Sequence, residues 1–358
     1  MQTPSRIPRY PREVSVALAL VLVSGVPPHA ASEHDTVDSN IEWAAGGIRV
    51  EYDNDLLVNS DNKFTNGFSV QWHSNVADGW DEVRTSRWMK FGRHLPGMRS
   101  PNLYNRVGLA VGQNMQTPND LTATELIVDD VPYAGSLGFE LNWIAFDDDV
   151  FRGYALIVGV IGPASGAEAV QKWVHRTIGA EKPQGWDNQL PDEPAINFNG
   201  MFKKKVFRFE GSGHLSADVA LNADFGLGTA LTFGEVAAEV RAGLNVPFGF
   251  TFVPDPIGRS IAYDATVPHR LDGHTSIYVS LVYRRTYMQH FVFIDGSLWR
   301  DTHHVDVDRW QRQTILGFHV TQRRWGVHLS FWDSSSNVRT PLAGSGNDFG
   351  TIAIEWRF

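Results

Sequence analysis

Apolar and polar residues alternate with a period of two through most of the chain after residue 45. In "GGIRVEYDND", Ile48, Val50 and Tyr52 are apolar and the residues between them are charged. The same alternation returns in "TNGFSVQWHS" and in the final "TIAIEWRF". Successive side chains of a β-strand point to opposite faces, so this period predicts strands with one apolar and one polar face.

About twelve segments carry this alternation, which predicts an all-β chain of antiparallel strands. The segments are residues 46–54, 65–75, 105–114, 134–146, 151–161, 198–210, 214–226, 234–247, 275–293, 311–322, 325–334 and 348–358. An even strand number is typical of bacterial barrels whose two chain ends lie on the same side of the membrane.

Two architectures produce such strands. A soluble sandwich buries the apolar face in a core, whereas a transmembrane barrel turns that face to lipid and its polar face to the lumen. Large charged pairs on the polar face, such as Lys203 with Lys205 and Arg49 with Glu51, favour a hydrated lumen. Trp and Tyr near segment ends suit the membrane interface. The sequence therefore predicts a transmembrane β-barrel.

The first residues have the composition of an export signal. Three arginines lie among the first twelve residues, an apolar run covers 14–26, and small residues stand at 30 and 31. A membrane anchor needs about 20 apolar residues, which is longer than this run. We therefore expect a signal peptide over 1–31 and a single outer-membrane barrel domain over 32–358.

Composition narrows the functional classes. The formal net charge is -9, which argues against a nucleic-acid binder, and the chain has no Cys, so disulfides play no part.

If both chain ends are periplasmic, every odd-to-even connection is extracellular. The long connections 162–197, 294–310 and 335–347 then lie outside the cell. The connections 76–104 and 248–274 are also long, although they fall on the periplasmic side, where turns are usually short.

One extracellular connection contains a predicted helix over residues 166–178. Ser165 and Glu168 have capping-box spacing, and Gly179 stands where a C-terminal cap is expected. Two rows of side chains run along the helix. We expect one row to pack against the protein and the other to supply catalytic groups. The apolar stripe is Val170, Val174 and Ile178, and the polar stripe is Glu168, Gln171 and His175.

Polar residues also gather at the extracellular ends of the first strands. Asn54 and Asp55 follow strand 1, and Thr65 opens strand 2. The alternation places Asp55 and Thr65 on the inward side with Glu51 and Gln71, and Asn54 on the outward side. A His on the helix near such groups could act as a general base, although position alone names no reaction.

Several motifs resemble one known family. "GPASGAEAVQKWVHRTIGAEKPQGWDNQ" resembles the helix motif of the outer-membrane lipid A 3-O-deacylase family. "NDLLVNSDNKFTNGFSVQW" is similar to its opening hairpin, "VGQNMQTPND" and "DDVPYAGSLGF" to its second hairpin, and "FIDGSLWRDTHHVD" to a late extracellular loop. The similarity runs from about residue 45 to the end of the chain.

The resemblance implies a calcium-dependent barrel hydrolase that removes the ester-linked acyl chains at the 3-position of lipid A. Its substrate would be lipopolysaccharide in the outer leaflet of the bacterial outer membrane, and we expect a monomer. His175 would be the general base that activates water, and Ca²⁺ would stabilise the oxyanion. The other implied site residues are Asn54, Asp55, Thr65, Gln171 and Glu181, of which Asp55, Asn54 and Glu181 would bind the metal.

The chain departs from the family pattern in its basic residues. Some members carry a Lys-Arg pair in the loop after strand 3, where this chain has Ala123 and Thr124, and Val131 replaces a frequent Arg. Basic side chains pair strongly with the phosphates of lipid A. The absence of these basic residues therefore removes groups that would position the substrate. Three other basic residues are candidates to replace them: Lys172, Arg176 and Lys182.

Three alternative functions remain open at this point. A porin or transport barrel explains a charged lumen but gives the helix no role. A serine-type outer-membrane phospholipase needs a Ser paired with a His, and the candidate pair in this sequence is His328 with Ser330. A binding or adhesin barrel would show no turnover.

Overall fold

The strands form one closed antiparallel barrel. A computed structural model of the chain describes residues 45–54, 64–250, 275–339 and 348–358. Each strand pairs with its neighbours in sequence, and the first strand pairs with the twelfth. The predicted fold class is therefore confirmed, whereas the predicted signal peptide lies outside the described residues.

The barrel has twelve strands. They are β1 Gly46–Asn54, β2 Phe64–Ser74, β3 Tyr104–Gln116, β4 Ala134–Phe146, β5 Val150–Ile161, β6 Glu193–Glu210, β7 Leu215–Gly228, β8 Leu231–Leu244, β9 Ser276–Phe291, β10 Trp310–Thr321, β11 Trp325–Ser334 and β12 Phe349–Arg357.

The described helices are short. They are the α-helices α1 Ala167–Ile178 and α2 Val292–Asp295, and the 3-10 helices Arg87–His94, Pro163–Ser165, Trp186–Asn188 and Ser212–His214. Within the described ranges, no helix is both long enough and apolar enough to cross a membrane.

Alternate residues of each strand are exposed on the outer wall or buried in the lumen. In β9, every second residue from Ser276 to His290 is buried, and most of those between are exposed. The exposed outward residues include Ile277, Val279 and Leu281. An apolar wall of this kind suits contact with lipid acyl chains, which confirms the direction predicted from the alternation.

The lumen is filled by charged side chains that pair with one another. Lys203 Nζ lies 2.7 Å from Glu239 Oε1, and Arg241 contacts both oxygens of Asp218 at 2.8 and 2.5 Å. Arg49 donates to Gln71 through Nε at 2.9 Å. Buried charges persist only where such partners satisfy them, so the inward charges predicted from the sequence form a packed polar interior.

Connections cover both ends of this interior. At the end opposite the chain termini, α2 places Val292, Phe293 and Ile294 in an apolar cluster, and Gln116 Nε2 donates to the Phe293 carbonyl at 3.0 Å. At the end that carries Gly46 and Phe358, the described start of the β8–β9 connection buries Phe250. We name these the extracellular and periplasmic ends.

Two strand bounds differ from the sequence prediction for identifiable reasons. β9 ends at Phe291 rather than 293, because the apolar residues that follow form α2. β6 begins at Glu193 rather than 198, because Pro194 lies opposite Val160 and the pairing with β5 continues to Ile161. Pro is tolerated at the start of a strand, so it does not end the ladder.

The lumen pair Lys203–Glu239 gives a test of the packed interior. Lys203→Ala leaves the Glu239 carboxylate buried without its cation, since both side chains are only 2% exposed. We expect a loss of about 3–5 kcal/mol in the free energy of unfolding. Urea denaturation in detergent, followed by Trp fluorescence, measures it.

The neighbouring Lys204→Ala is the matched control. Lys204 faces outward and its Nζ lies 3.6 Å from an exposed Asp149 carboxylate. Exposed pairs of this kind contribute about 0–1 kcal/mol. Equal effects of the two variants would contradict a paired, dehydrated lumen.

Candidate active site

Helix α1 lies in the β5–β6 connection and has nearly the predicted bounds. It covers Ala167–Ile178 and ends at Gly179, whose φ of 73° is left-handed, as the predicted C-terminal cap requires. The predicted capping box is wrong. The cap residue is Gly166, with φ 71°, and Glu168 instead contacts Lys172 Nζ at 2.5 Å.

The first turn of α1 packs against the outward wall of the barrel. A Cβ built on Gly135 of β4 would lie 2.2 Å from Ala167 Cβ, so the wall and the helix touch where the strand has no side chain. From β3, Gln113 Nε2 donates to the Ser165 carbonyl at 2.7 Å. The helix is therefore held on the lipid-facing side of β3 and β4, at their extracellular ends.

Gln171 is the buried residue of the helix body. Its side chain is 1% exposed, and its Oε1 accepts a hydrogen bond of 2.7 Å from Trp186 Nε1. Val170, by contrast, is 37% exposed, so the prediction that its stripe packs is wrong at this residue. The buried face is made by Ala167 and Gln171, and the apolar Val170 and Trp173 face outward.

Gln171 is held in a small aromatic cluster. Trp186 packs on Tyr133 with ring centroids 5.0 Å apart, and Met115 of β3 completes the cluster with Ala167. Burial raises the pKa of the Tyr133 hydroxyl, which stays protonated and donates to the Leu121 carbonyl at 3.3 Å. The Gln171 Nε2 is buried without a hydrogen-bond partner among the described residues. One amide hydrogen-bond donor therefore stays unsatisfied inside this cluster, although its oxygen is bonded to Trp186.

His175 lies one turn beyond Gln171 and is half-buried. Its Nδ1 is 2.5 Å from the backbone carbonyl oxygen of Glu181. A carbonyl oxygen only accepts hydrogen bonds, so in the neutral ring Nδ1 carries the proton and Nε2 carries the lone pair. The carbonyl thus orients the imidazole and makes Nε2 its basic atom.

The other site residues predicted from the sequence occupy different positions. The Glu181 carboxylate is exposed, and it is the residue's main chain that contacts His175. Asn54 ends β1 beside Gly350 of β12 and is buried. Thr65 lies in β2 at an irregularity in the pairing with β3. Asp55 lies outside the described residues.

Residues of the two quoted hairpin motifs that were not predicted as site residues connect the helix to β1. Met115, which packs with Ala167, lies opposite Asn66 of β2. Asn66 Nδ2 in turn donates to the Tyr52 hydroxyl of β1 at 3.3 Å. Asn66 and Gln113 are polar residues at lipid-facing positions, and that exception to the alternation is the signal that could have found them.

Among the described residues, no group of three or more His, Asp or Glu side chains is placed to hold a metal ion. Asn54 and Glu181 offer oxygen donors, which Ca²⁺ prefers, and they fit the expected donor chemistry. The third expected ligand, Asp55, is outside the described part of the chain, so the calcium site stays a prediction.

The lumen contains a separate chain of hydrogen bonds. Ser280 Oγ lies 2.8 Å from His319 Nε2, and His319 Nδ1 lies 2.9 Å from His328 Nδ1. Ser330, the residue considered for a serine-type enzyme, has no hydrogen-bond partner within the described residues. All four residues are buried in the lumen, where a membrane lipid has no contact with them.

The contact between Gly135 and α1 can be tested directly. Gly135→Val places methyl groups where Ala167 and Ser165 now lie, and we expect it to displace the helix from a folded barrel. Trypsin should then cleave after Lys172 and Arg176 several-fold faster. Gly234→Val is the control, because a Cβ at Gly234 meets no atom within 4 Å. Equal cleavage of both variants would contradict the docking.

Comparison with known proteins identifies the family. The family model "Outer membrane protein LpxR" matches residues 15–358. The structure of LpxR from Salmonella typhimurium is similar, with a TM-score of 0.69, 16% identity, and coverage of 87% of this chain and 100% of that one. The β-domain of the Bordetella autotransporter BrkA has a TM-score of 0.44, 9% identity and coverage of 88% and 100%. A comparison with curated proteins finds no match. The chain belongs to the LpxR family of outer membrane proteins.

Proposed function

We propose that this outer membrane protein is a hydrolase that removes 3-O-linked acyl chains from lipid A, with His175 as the general base. The observation that carries the proposal is an oriented imidazole on a helix held against the lipid-facing wall. Family membership supports lipid A as the substrate. A lipid of the outer leaflet meets this wall without leaving the membrane.

The chemistry follows from the His175 tautomer. Nε2 takes a proton from a water molecule as the water oxygen attacks the ester carbonyl carbon. The tetrahedral intermediate then expels the sugar oxygen, which takes the proton back from Nε2. The products are a free fatty acid and a sugar hydroxyl. The hydrogen bond from Nδ1 to the Glu181 carbonyl keeps the ring in the orientation that this transfer needs.

Other groups at the helix have supporting roles in the proposal. Ca²⁺, held by Asn54, Asp55 and Glu181, would supply stabilisation of the negative charge that develops on the ester oxygen. Gln171 is a positioning residue, because its bond from Trp186 Nε1 holds the helix turn that precedes His175. The exposed Arg176 and Lys182 supply positive charge for the phosphates of lipid A, in place of the missing Lys-Arg pair.

The outer face of the helix also fits a lipid substrate. Trp173 is strongly exposed and Val170 partly so, although both are apolar and belong to a helix at the extracellular end of the wall. Exposed apolar groups in such a place suit contact with acyl chains or the membrane interface. This arrangement favours a lipid-acting enzyme over a protein that acts on soluble ligands.

Replacing the proposed base gives the main test. His175→Ala should lower kcat for fatty-acid release from purified lipopolysaccharide by about 10²–10⁴-fold, since a general base contributes that much. His304→Ala is the control, because His304 is an exposed histidine of another extracellular connection. A calcium chelator should abolish the activity of the wild type and added Ca²⁺ should restore it. Undiminished release by a folded His175→Ala barrel would rule the mechanism out.

A porin would conduct ions across a planar bilayer, whereas the proposed hydrolase would not. Since the lumen is filled by paired charges and α2 buries apolar residues at one mouth, we expect no steady conductance in planar bilayers. The control is the same preparation after heat denaturation, which reports leakage that is not due to a folded barrel. Stable, stepwise conductance by the folded protein would favour a transport function.

A further inference from the structure

The connection between β2 and β3, residues 75–103, folds onto the outside of the barrel at its periplasmic end. We name it the periplasmic lobe. Trp143 of β4 and Tyr154 of β5 face outward and lie opposite each other. Trp143 Nε1 donates to the Met89 carbonyl at 2.6 Å, and the Tyr154 hydroxyl donates to the Pro96 carbonyl at 3.1 Å. The unexpected length of this connection is therefore used to build a surface structure.

The lobe is packed tightly against the wall. A Cβ on Gly92 would lie 2.0 Å from Trp143 Cγ, so the lobe reaches the strand only because this residue is glycine. Met98 is fully buried, and its carbonyl accepts a hydrogen bond of 2.6 Å from Trp80 Nε1. The lobe and the wall thus share one apolar core.

The lobe also exposes two large aromatic rings. Trp88 is 67% exposed and Phe91 is 63% exposed, both on the 3-10 helix Arg87–His94. The Phe91 ring lies 6.4 Å from the outward-facing Trp143 ring, centroid to centroid. Phe91 therefore adjoins the apolar outer wall of the barrel at its periplasmic end.

Basic residues are neighbours of the two aromatic residues in the sequence of the lobe. The lobe has five Lys or Arg against three Asp or Glu, in a chain whose net charge is -9. They are Arg84, Arg87, Lys90, Arg93 and Arg99 against Asp78, Asp81 and Glu82. Arg93 pairs with Asp81 at 3.3 Å, whereas Arg84 and Arg87 are exposed on the surface of the lobe. The surplus of positive charge is complementary to anionic lipid headgroups.

We propose that the periplasmic lobe is a membrane-interface anchor that binds anionic phospholipid in the inner leaflet of the outer membrane. Trp88 and Phe91 lie at headgroup level, as aromatic residues do at membrane interfaces, and the basic residues contact phosphate. β4 carries the lobe at Trp143 and the docking site of α1 at Gly135. The same strand therefore carries both the anchor and the docking site of α1.

Site-directed labelling tests the anchor, because the chain has no Cys of its own. Phe91→Cys carries an environment-sensitive fluorophore in vesicles of phosphatidylethanolamine and phosphatidylglycerol. We expect strong quenching by lipids with brominated acyl chains and little quenching by aqueous iodide. Ser212→Cys is the matched control, since it is exposed in the β6–β7 turn at the same end, and it should show the reverse pattern. Trp88→Cys gives a second reading if Phe91→Cys fails to fold.

A charge variant tests the choice of lipid. In the Phe91→Cys background, Arg84→Gln, Arg87→Gln and Lys90→Gln together should raise iodide quenching several-fold in the phosphatidylglycerol vesicles. The same changes should have little effect in pure phosphatidylcholine. Equal iodide access at positions 91 and 212 in a folded barrel would overturn the proposal. Protection that appears only after a periplasmic extract is added would also overturn it, because the partner would then be a protein. Neither result bears on acyl release by His175.

Discussion

Closure of the sheet is the constraint on which the other features depend. β1 and β12 are joined along their length, and Gly46 and Phe358 exchange two backbone hydrogen bonds of 3.1 Å. A closed ladder leaves no unpaired strand edge in lipid. Because paired charges fill the interior, a membrane lipid meets this protein on the outward wall. The proposed chemistry on a membrane lipid is therefore assigned to the outside of the barrel, where α1 lies.

Helix α1 and the outer wall of the barrel make a close contact. Gly135 gives α1 a surface without a side chain, and Trp186 donates a hydrogen bond to Gln171. These contacts bury Ala167 and Gln171 against the barrel. They leave the apolar Val170 and Trp173 exposed beside the charged Lys172 and Arg176, a mixed surface that suits the boundary between acyl chains and headgroups. His175 lies at the margin between the two environments.

The sequence predicted those features that depend on local geometry. Strand alternation is local, so the barrel, the inward charges at Lys203 and Arg49 and most strand bounds were correct. The C-terminal cap at Gly179 also depends only on local backbone conformation. The buried face of α1 could not be predicted in this way, because it depends on Gly135, and on Gln113, which is 52 residues away from Ser165. The capping-box prediction was wrong because Gly166, in a left-handed conformation, takes the cap position that Ser165 was expected to fill.

The central claim is that the imidazole on the outer wall acts on lipid A in the membrane. The most direct measurement is the mass spectrum of lipid A from cells that express the wild-type chain and from cells that lack it. The account predicts lipid A species lighter by the 3-linked acyl chain or chains, with all phosphates retained, only in the expressing cells. Identical spectra from the two, with the folded protein present in the outer membrane, would contradict it.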